Sequence, residues 1–291
     1  MLKTLREYIK EAEEKKIAIG HFNISNIEAF HGIYNAAQKL NVPVIIGVSE
    51  GEEEFVGRDE ISAIIKEVRE RDNYPIFLNA DHHYSFESVK DALLAGYDAA
   101  IIDAVKLPLE ENILLTKKCV EYAKELGGKE GRDILIEAEL GFIGQSSKLL
   151  EEIPEGVSEK TMTTQDDAKY FVEQTGIDLI APSVGNIHGM VKGGNPKLDI
   201  KRIKKIREAC GVPLVLHGGS GISDQDFQDA IDAGISIVHI NTEIRVAYKE
   251  ALEKYLKENP NEIAPYKILK PAVDAIEKVV EQRLKLFNKI K

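Results

Sequence analysis

The 291-residue sequence contains no tryptophan, only two cysteines and no long apolar segment. Cys119 and Cys210 lie far apart without CxxC spacing, so we expect free thiols and not a disulfide. A membrane-spanning helix needs a run of about 18 or more apolar residues, and the sequence has no such run. Its first residues are charged and do not resemble a signal peptide. These absences predict a cytoplasmic protein with no membrane partner.

Positively charged residues are fewer than negatively charged residues. The 38 Lys and Arg residues are outnumbered by 49 Asp and Glu residues, which gives a formal net charge of −11. A phosphate backbone binds to a basic surface, so we do not expect nucleic acid as a partner. The hydrophobic content of 43% and the charged content of 30% are typical of a globular protein.

Short apolar runs alternate with amphipathic helical patterns along the whole sequence. The runs are almost continuously apolar, which is typical of strands buried on both faces of a parallel sheet. Eight strands are predicted, at 17–23, 42–48, 76–81, 99–102, 133–140, 178–184, 212–217 and 235–240. Helices are predicted between Ser85 and Gly96 and at 2–14, 26–40, 58–70, 109–125, 165–175, 199–209, 223–232, 243–258 and 270–289.

This pattern predicts one α/β domain over residues 1–291, a (β/α)8 TIM barrel with additional helices at both ends. The alternative is an open doubly wound sheet. It is less favoured because no Gly-rich dinucleotide fingerprint follows the first strand.

Polar side chains stand at the carboxyl ends of the predicted strands. The third strand ends in Asp81, His82 and His83, and burying such groups without partners costs several kcal/mol each. The carboxyl ends of barrel strands converge on one rim, which is where barrel enzymes have their active sites. The other strand-end residues are His21, Asn23, Ser49, Asp103, Glu137, Glu139, His188, His217, His239 and Asn241.

The histidines at this rim point to a metal. A single strand-end histidine is usually a hydrogen-bonded structural residue, but several on one rim favour ligation, because the fold itself brings them together. Three neutral imidazoles with an open fourth position describe a catalytic zinc site. Glu137 and Glu139 are two residues apart, so they point the same way from their strand, toward a metal or a cationic group. His31 lies on a predicted helix, where we expect a surface position.

A glycine-rich turn follows the seventh strand. His217-Gly218-Gly219-Ser220-Gly221 leads into a helix, and Asn241-Thr242-Glu243 follows the eighth strand. Glycines let backbone amides approach an anion, and a helix N-terminus favours negative charge. The two turns therefore predict the phosphate site of a barrel enzyme. Lys192-Gly193-Gly194 either closes over the same anion or forms a plain surface loop.

Several of these segments together resemble the class II, metal-dependent ketose-bisphosphate aldolases, which include fructose- and tagatose-bisphosphate aldolases. The resemblance runs nearly end to end, and the motifs occur in family order. They are His21-Phe22-Asn23, Ser49-Glu50-Gly51, Asp81-His82-His83 with Ser85-Phe86, Ile101-Ile102-Asp103, Glu137-Ala138-Glu139-Leu140-Gly141, His188-Gly189 with Pro196-Lys197-Leu198-Asp199, Leu216-His217-Gly218-Gly219-Ser220-Gly221 and Asn241-Thr242-Glu243.

The resemblance implies a role for each matching residue. Asp81 is implied as the proton donor and acceptor at the hydroxyl beside the cleaved bond. The implied ligands of the catalytic zinc are His82, His188 and His217, and those of an alternative metal position are Asp103 and Glu139. The implied substrate-binding residues are Asn23 and Ser49 on the substrate side and Gly189, Gly218, Ser220, Asn241 and Thr242 around dihydroxyacetone phosphate.

The implied activity is that of a lyase of carbohydrate metabolism and glycolysis. It cleaves a ketose (bis)phosphate such as fructose 1,6-bisphosphate, reversibly, to dihydroxyacetone phosphate and an aldehyde such as glyceraldehyde 3-phosphate. Cleavage beside a ketone leaves an enediolate, whose charge a zinc ion stabilises as a Lewis acid. The other chemical solution is a Schiff-base lysine, but no lysine lies inside the eight apolar runs. A homodimer or homotetramer is also implied, and an assisting monovalent cation is left open.

The sequence departs from the family pattern at four places. Residues 142–148 replace a Gly-Gly-x-Glu-Asp loop, for which Glu151 or Glu152 is a candidate substitute. Where the family has Gly-Ser-His after the residue that matches Asp103, this sequence has Ala104-Val105-Lys106. Where the family has an Asn two residues before the phosphate-binding pair, this sequence has His239. Where the family has an Arg after a proline near the C-terminus, this sequence has Tyr266, and Lys267 is a candidate substitute.

These departures leave the aldehyde half of the substrate open, together with its phosphate. They also leave three alternatives to a fructose-bisphosphate aldolase. One is a tagatose-bisphosphate or other ketose-phosphate aldolase. Another is a zinc barrel hydrolase or isomerase that uses Asp81 to activate water. The last is a non-catalytic protein that binds a sugar phosphate.

Overall fold

A closed barrel of eight parallel strands forms the centre of the computed structural model, which describes residues 2–144 and 147–291. The strands are β1 (Ile19–Asn23), β2 (Val44–Ser49), β3 (Ile76–His83), β4 (Ala99–Ile102), β5 (Leu135–Leu140), β6 (Leu149–Leu150), β7 (Leu179–Pro182), β8 (Met190–Val191), β9 (Leu214–Leu216) and β10 (Ile235–Ile240). All except β6 and β8 belong to the barrel, in the order β1-β10-β9-β7-β5-β4-β3-β2, and β6 pairs with β8 outside it. The predicted TIM barrel is confirmed.

Helices surround the barrel, and polar caps begin several of them. Ser85, predicted as a cap, accepts a hydrogen bond from the backbone N–H of Ser88 at 3.1 Å, and such a cap contributes about 1 kcal/mol. The helices are α1 (Leu5–Lys15), α2 (Ile27–Leu40), α3 (Glu50–Val56), α4 (Arg58–Asp72), α5 (Phe86–Leu94), α6 (Leu109–Glu130), α7 (Gln165–Thr175), α8 (Ile200–Cys210), α9 (Asp224–Ala233), α10 (Thr242–Glu258) and α11 (Pro265–Phe287).

The apolar core has two parts. The larger part lies between the outer faces of the strands and the surrounding helices. The smaller part fills the amino-terminal half of the barrel, where Leu5 and Ile9 of α1 pack against inward-facing residues such as Ile45 and Phe77. Because α1 closes this end with apolar side chains, the polar strand ends lie at the opposite, carboxyl-terminal rim.

Three helices differ from the prediction. Helix α6 continues past Gly127 and ends at Glu130, with Gly131 as its C-cap, and a Cβ on Gly127 would lie 2.6 Å from the carbonyl oxygen of Arg132. That glycine serves close packing inside the helix and does not end it. Helix α3 was not predicted, since its seven residues are mostly charged. Helix α11 begins at Pro265 and not at residue 270, which agrees with the tolerance of a first helical turn for proline.

Three further predictions concern the cysteines, His31 and membrane-spanning helices. Cys119 is buried and Cys210 is half-buried, and both are free thiols. His31 is exposed on α2, as predicted. Over residues 2–144 and 147–291, no helix combines the length and the apolar character that crossing a membrane requires.

Candidate active site

A local irregularity in β3 aims two neighbouring polar residues at the rim. Successive side chains of a regular strand point to opposite faces, so Asp81 and His82 would face apart. The pairing of β3 with β4 shifts register between Ala80 and His83, and His82 adopts a left-handed φ of 49°. Such a conformation costs about 1–3 kcal/mol in a residue other than glycine. As a result, both Asp81 and His82 line the same cavity.

Three histidines from distant segments meet beside this bulge. The ring centroids of His82 and His188 are 4.9 Å apart, those of His82 and His217 are 4.9 Å apart, and those of His188 and His217 are 5.8 Å apart. One nitrogen from each ring and one carboxylate oxygen of Glu139 all lie within 4.8 Å of one another. This spacing fits a set of ligands that share one divalent metal ion.

Buried carboxylates orient two of these rings. His82 Nδ1 lies 2.9 Å from Asp103 Oδ2, and His217 Nε2 lies 2.6 Å from Glu137 Oε1. A carboxylate on one ring nitrogen leaves the other nitrogen directed at the cluster, and for His217 that other nitrogen, Nδ1, lies 3.2 Å from Glu139 Oε2. Glu137 and Glu139 both face inward from β5, as the two-residue spacing predicted. Asp103, predicted as a ligand of an alternative metal position, lies outside the cluster of four, and its Oδ2 contacts His82.

The electrostatics of the cluster also suit a cation. Burial alone would raise the pKa of Glu139, but hydrogen bonds from His188 and His217 lower it to about 2. Burial alone would lower the pKa of His82, but the charge of Asp81 and the hydrogen bond to Asp103 raise it to about 9. The carboxylates therefore stabilise positive charge on the neighbouring imidazoles. A divalent cation can supply this positive charge in place of the protons.

Asp81 is placed to take or give a proton. Its Oδ2 accepts a hydrogen bond of 2.7 Å from Asn23 Nδ2, whereas its Oδ1 is buried and has no hydrogen-bond partner among the described residues. Burial would raise the pKa of Asp81, but the neighbouring His82 and His239 outweigh it and hold the pKa well below its usual range. The carboxylate is thus ionised, and its Oδ1, 3.5 Å from His239 Nδ1, makes no hydrogen bond that would prevent it from acting as a base.

Two further histidines stack beneath the site. His21 and His239 are register partners on β1 and β10, and their rings lie 3.5 Å apart at an angle of 5°. Gly47 makes room for this stack, because a Cβ there would lie 2.1 Å from Cε1 of His21. Burial lowers the pKa of His21 to about 4, so its ring is neutral. One nitrogen from each ring and one oxygen of Asp81 lie within 4.8 Å of one another, which makes them a second group of potential ligands.

The predicted substrate-binding residues all reach one cavity above the histidine cluster. Helix α10 begins at Thr242 on its wall, and Gly218 has a φ of 61° that brings the turn close to the backbone of Ile187. The N-terminus of α10 therefore faces the cavity, as an anion site requires. The predicted residues that line the cavity are Asn23, Ser49, Asp81, His82, Asp103, His188, Gly189, Gly218, Ser220, Asn241 and Thr242.

The candidate substitutes for missing family residues do not reach this cavity. Glu151 is exposed and pairs with Lys192 at 2.6 Å, and Glu152 is also exposed. Lys267 pairs with Glu262 at 3.0 Å on the surface. Within the departing loop, Gly144 and Ser147 line the cavity, while residues 145 and 146 lie outside the described residues.

Sequence reasoning missed three polar residues at the site, one of which is Tyr84, on the cavity wall. Arg245 lines the cavity one turn into α10, and its guanidinium contacts the buried carboxylate of Glu52. Glu52 also accepts hydrogen bonds from Asn23 Nδ2 and from Ser49. The spacing Ser49-x-x-Glu52 is a capping-box pattern that could have predicted α3 and the inward direction of Glu52.

Comparison with known proteins agrees with this site. The family model described as "Fructose-bisphosphate aldolase class-II" matches residues 3–291. A fructose-bisphosphate aldolase of Geobacillus stearothermophilus is 38% identical over 290 residues, 99% of this chain and 97% of the relative. One from Staphylococcus aureus (strain Mu50) is 37% identical with the same coverage.

Among solved structures, the YdjI aldolase from Escherichia coli K12 superimposes with a TM-score of 0.81 at 32% identity. The match covers 99% of this chain and 97% of that chain. Aldolases of this class depend on a metal, and the cluster of three histidines and Glu139 is able to hold one. The chain therefore belongs to the class II fructose-bisphosphate aldolase family of lyases.

Proposed function

We propose that this protein cleaves fructose 1,6-bisphosphate, or a closely related ketose bisphosphate, reversibly. The products are dihydroxyacetone phosphate and an aldehyde such as glyceraldehyde 3-phosphate. One observation carries the proposal: two imidazoles of the three-histidine cluster, His82 and His188, line the same cavity as Asp81 and the N-terminus of α10. The names of the Geobacillus and Staphylococcus relatives support the same substrate.

The metal in this proposal is zinc, held by His82, His188 and His217. Three imidazoles are a usual ligand set for catalytic zinc, and Glu139 offers a further oxygen for a second metal position. When bound, the zinc ion supplies Lewis-acid polarisation of substrate oxygens and so stabilises the charge that develops as the carbon–carbon bond breaks. Glu137 and Asp103 keep the rings of His217 and His82 in place.

Asp81 carries the proton transfer. Its free Oδ1 takes the proton from the substrate hydroxyl that becomes the aldehyde, and it returns the proton in the synthetic direction. Asn23 holds the other oxygen through its 2.7 Å hydrogen bond, so the carboxylate keeps one orientation during the reaction. The low pKa of Asp81 keeps it ionised before each cleavage.

The dihydroxyacetone phosphate half binds at the start of α10. Backbone amides at this helix terminus and in the glycine-rich turn are suited to the phosphate. The residues assigned to this half are Gly189, Gly218, Ser220, Asn241 and Thr242. Ser49 and Asn23 face the aldehyde half on the other side of Asp81.

Domain organisation, assembly state and cellular location are proposed from the family alone. The enzyme is a single-domain protein over residues 1–291 and works as a homodimer or homotetramer. We place it in the cytoplasm, without a nucleic-acid or membrane partner. Sedimentation of the purified protein tests the assembly state.

A coupled assay for triose release from fructose 1,6-bisphosphate tests the function. We expect activity that EDTA abolishes, that zinc restores, and that borohydride added with substrate does not inactivate. His31→Asn is the matched control, since His31 is exposed on α2 outside the cavity. Full activity in a sample that contains far less than one metal ion per protein chain would reject the proposal.

The same assay separates the alternatives. A hydrolase releases inorganic phosphate from the sugar without forming a triose. An isomerase converts the sugar without forming triose or phosphate. A binding protein retains the bisphosphate in equilibrium dialysis without turnover.

A further inference from the structure

Tyr84 is an aromatic residue on the cavity wall that has no role in the proposed function so far. It directly follows β3 and is the one Phe, Tyr or Trp among the described residues that line the cavity. Its backbone N–H donates to Glu50 Oε1 at 3.1 Å, and the ammonium of Lys106 lies 5.9 Å from the ring centroid, within cation–π range. Tyr84 is nevertheless 53% exposed, so much of its surface is left for a ligand.

The strand order places Tyr84 far from the glycine-rich turn assigned to the first phosphate. Around the barrel, β4, β5 and β7 separate β3 from β9 on one side, and β2, β1 and β10 separate them on the other. Tyr84 after β3 and the glycine-rich turn after β9 therefore stand on opposite sides of the rim. Asp81, assigned to the hydroxyl beside the cleaved bond, lies on β3 itself. A substrate that reaches from the glycine-rich turn to Asp81 thus extends its aldehyde half toward Tyr84.

The ring offers a ligand apolar surface and no charge. Burial and the nearby carboxylates of Asp103 and Asp81 raise the pKa of Tyr84 to about 12, so its side chain is a neutral phenol. The face of an aromatic ring is weakly negative, and the C–H groups of a carbon chain pack well against it. Because Glu50 and Lys106 already hold the residue, such packing costs little additional side-chain entropy.

We propose that Tyr84 is a specificity-determining residue whose ring packs against the carbon chain of the aldehyde half. The ring favours aldehydes of three or more carbons over a two-carbon aldehyde, because only the longer chain extends past the reacting carbon far enough to cover it. This inference rests on the proposed function and deepens it, since it names the class of aldehyde that the site prefers and the residue that selects it.

Two variants separate the ring from the hydroxyl. Tyr84→Ser removes the ring and keeps a hydroxyl, whereas Tyr84→Phe keeps the ring. In the synthetic direction, we measure kcat/KM for glyceraldehyde 3-phosphate and for the two-carbon glycolaldehyde phosphate at saturating dihydroxyacetone phosphate. Loss of about 50 Å² of apolar contact predicts a drop of about 5- to 15-fold for the three-carbon aldehyde in Tyr84→Ser. The two-carbon aldehyde in Tyr84→Ser, and both aldehydes in Tyr84→Phe, should change less than about 2-fold.

Tyr170→Ser is the matched control, because Tyr170 is also exposed and lies on α7 outside the cavity. We expect it to leave both values unchanged, together with the KM for dihydroxyacetone phosphate.

The other outcomes overturn the assignment. An equal loss on both aldehydes in Tyr84→Ser, or a raised KM for dihydroxyacetone phosphate, would mean that Tyr84 acts on Asp81 or on the first half of the substrate. A loss in Tyr84→Phe as large as that in Tyr84→Ser would assign the effect to the hydroxyl. Unchanged kinetics in Tyr84→Ser would reject the inference alone, whereas a wild type that forms no ketose from either aldehyde would reject the proposed function.

Discussion

Replacing Glu137 by glutamine tests whether a buried carboxylate behind His217 strengthens metal binding. The Nε2–Oε1 distance is 2.6 Å, and both side chains are almost completely buried. Glutamine has nearly the same shape, so Glu137→Gln leaves no cavity. It replaces a charge-assisted hydrogen bond with a neutral one, which is roughly half as strong.

The size of the effect follows from this geometry. A charged hydrogen bond contributes about 1.5–3 kcal/mol, so a neutral replacement half as strong loses about 0.8–1.5 kcal/mol. Loss of such a partner behind a metal-bound histidine typically weakens metal affinity by about 10- to 100-fold. We expect Glu137→Gln to fall in this range, with activity largely recovered at saturating zinc.

Competition with a chromogenic chelator measures zinc affinity directly, and triose release at saturating zinc measures the remaining activity. Glu125→Gln is the matched control, since Glu125 is exposed on α6 and pairs with Lys129 on the same helix. An unchanged zinc affinity in Glu137→Gln would refute the role assigned to this carboxylate. A loss of activity that zinc does not restore would show that Glu137 acts on the substrate instead.

Three more substitutions or treatments follow from single residues. Asp81→Asn should lower kcat by about 100- to 10,000-fold, while metal content by mass spectrometry stays the same; near-normal kcat would rule out Asp81 as the base. Gly47→Ala, whose Cβ would meet the buried ring of His21, should lower the free energy of unfolding by about 1–3 kcal/mol; an unchanged urea midpoint would contradict this packing. Burial raises the pKa of the Cys119 thiol to about 12, so little thiolate exists at about pH 8. Iodoacetamide should therefore modify Cys119 only after unfolding in guanidinium chloride, and rapid labelling of the native protein would disagree.

The barrel could be predicted because its signal is local. Each strand is an apolar run that ends in polar residues, and strands buried on both faces have no other reason to end this way. The errors occurred where packing overrides local preference. Gly127 reads as the end of a helix, yet it lies inside α6, where the carbonyl oxygen of Arg132 lies too close for a side chain. The charged sequence of α3 has no apolar periodicity, and its capping box was the one available signal.

The sequence alone was sufficient for the fold class, the family and the residue types at the rim, because periodicity and motif order are properties of the chain itself. It could not determine how His82 and Asp81 come to face the same cavity, since this depends on the register shift between β3 and β4. Nor could it pair Arg245 with Glu52, which are 193 residues apart and meet only where the barrel closes. Distances between side chains on different strands are set by register and closure, and no local pattern encodes either.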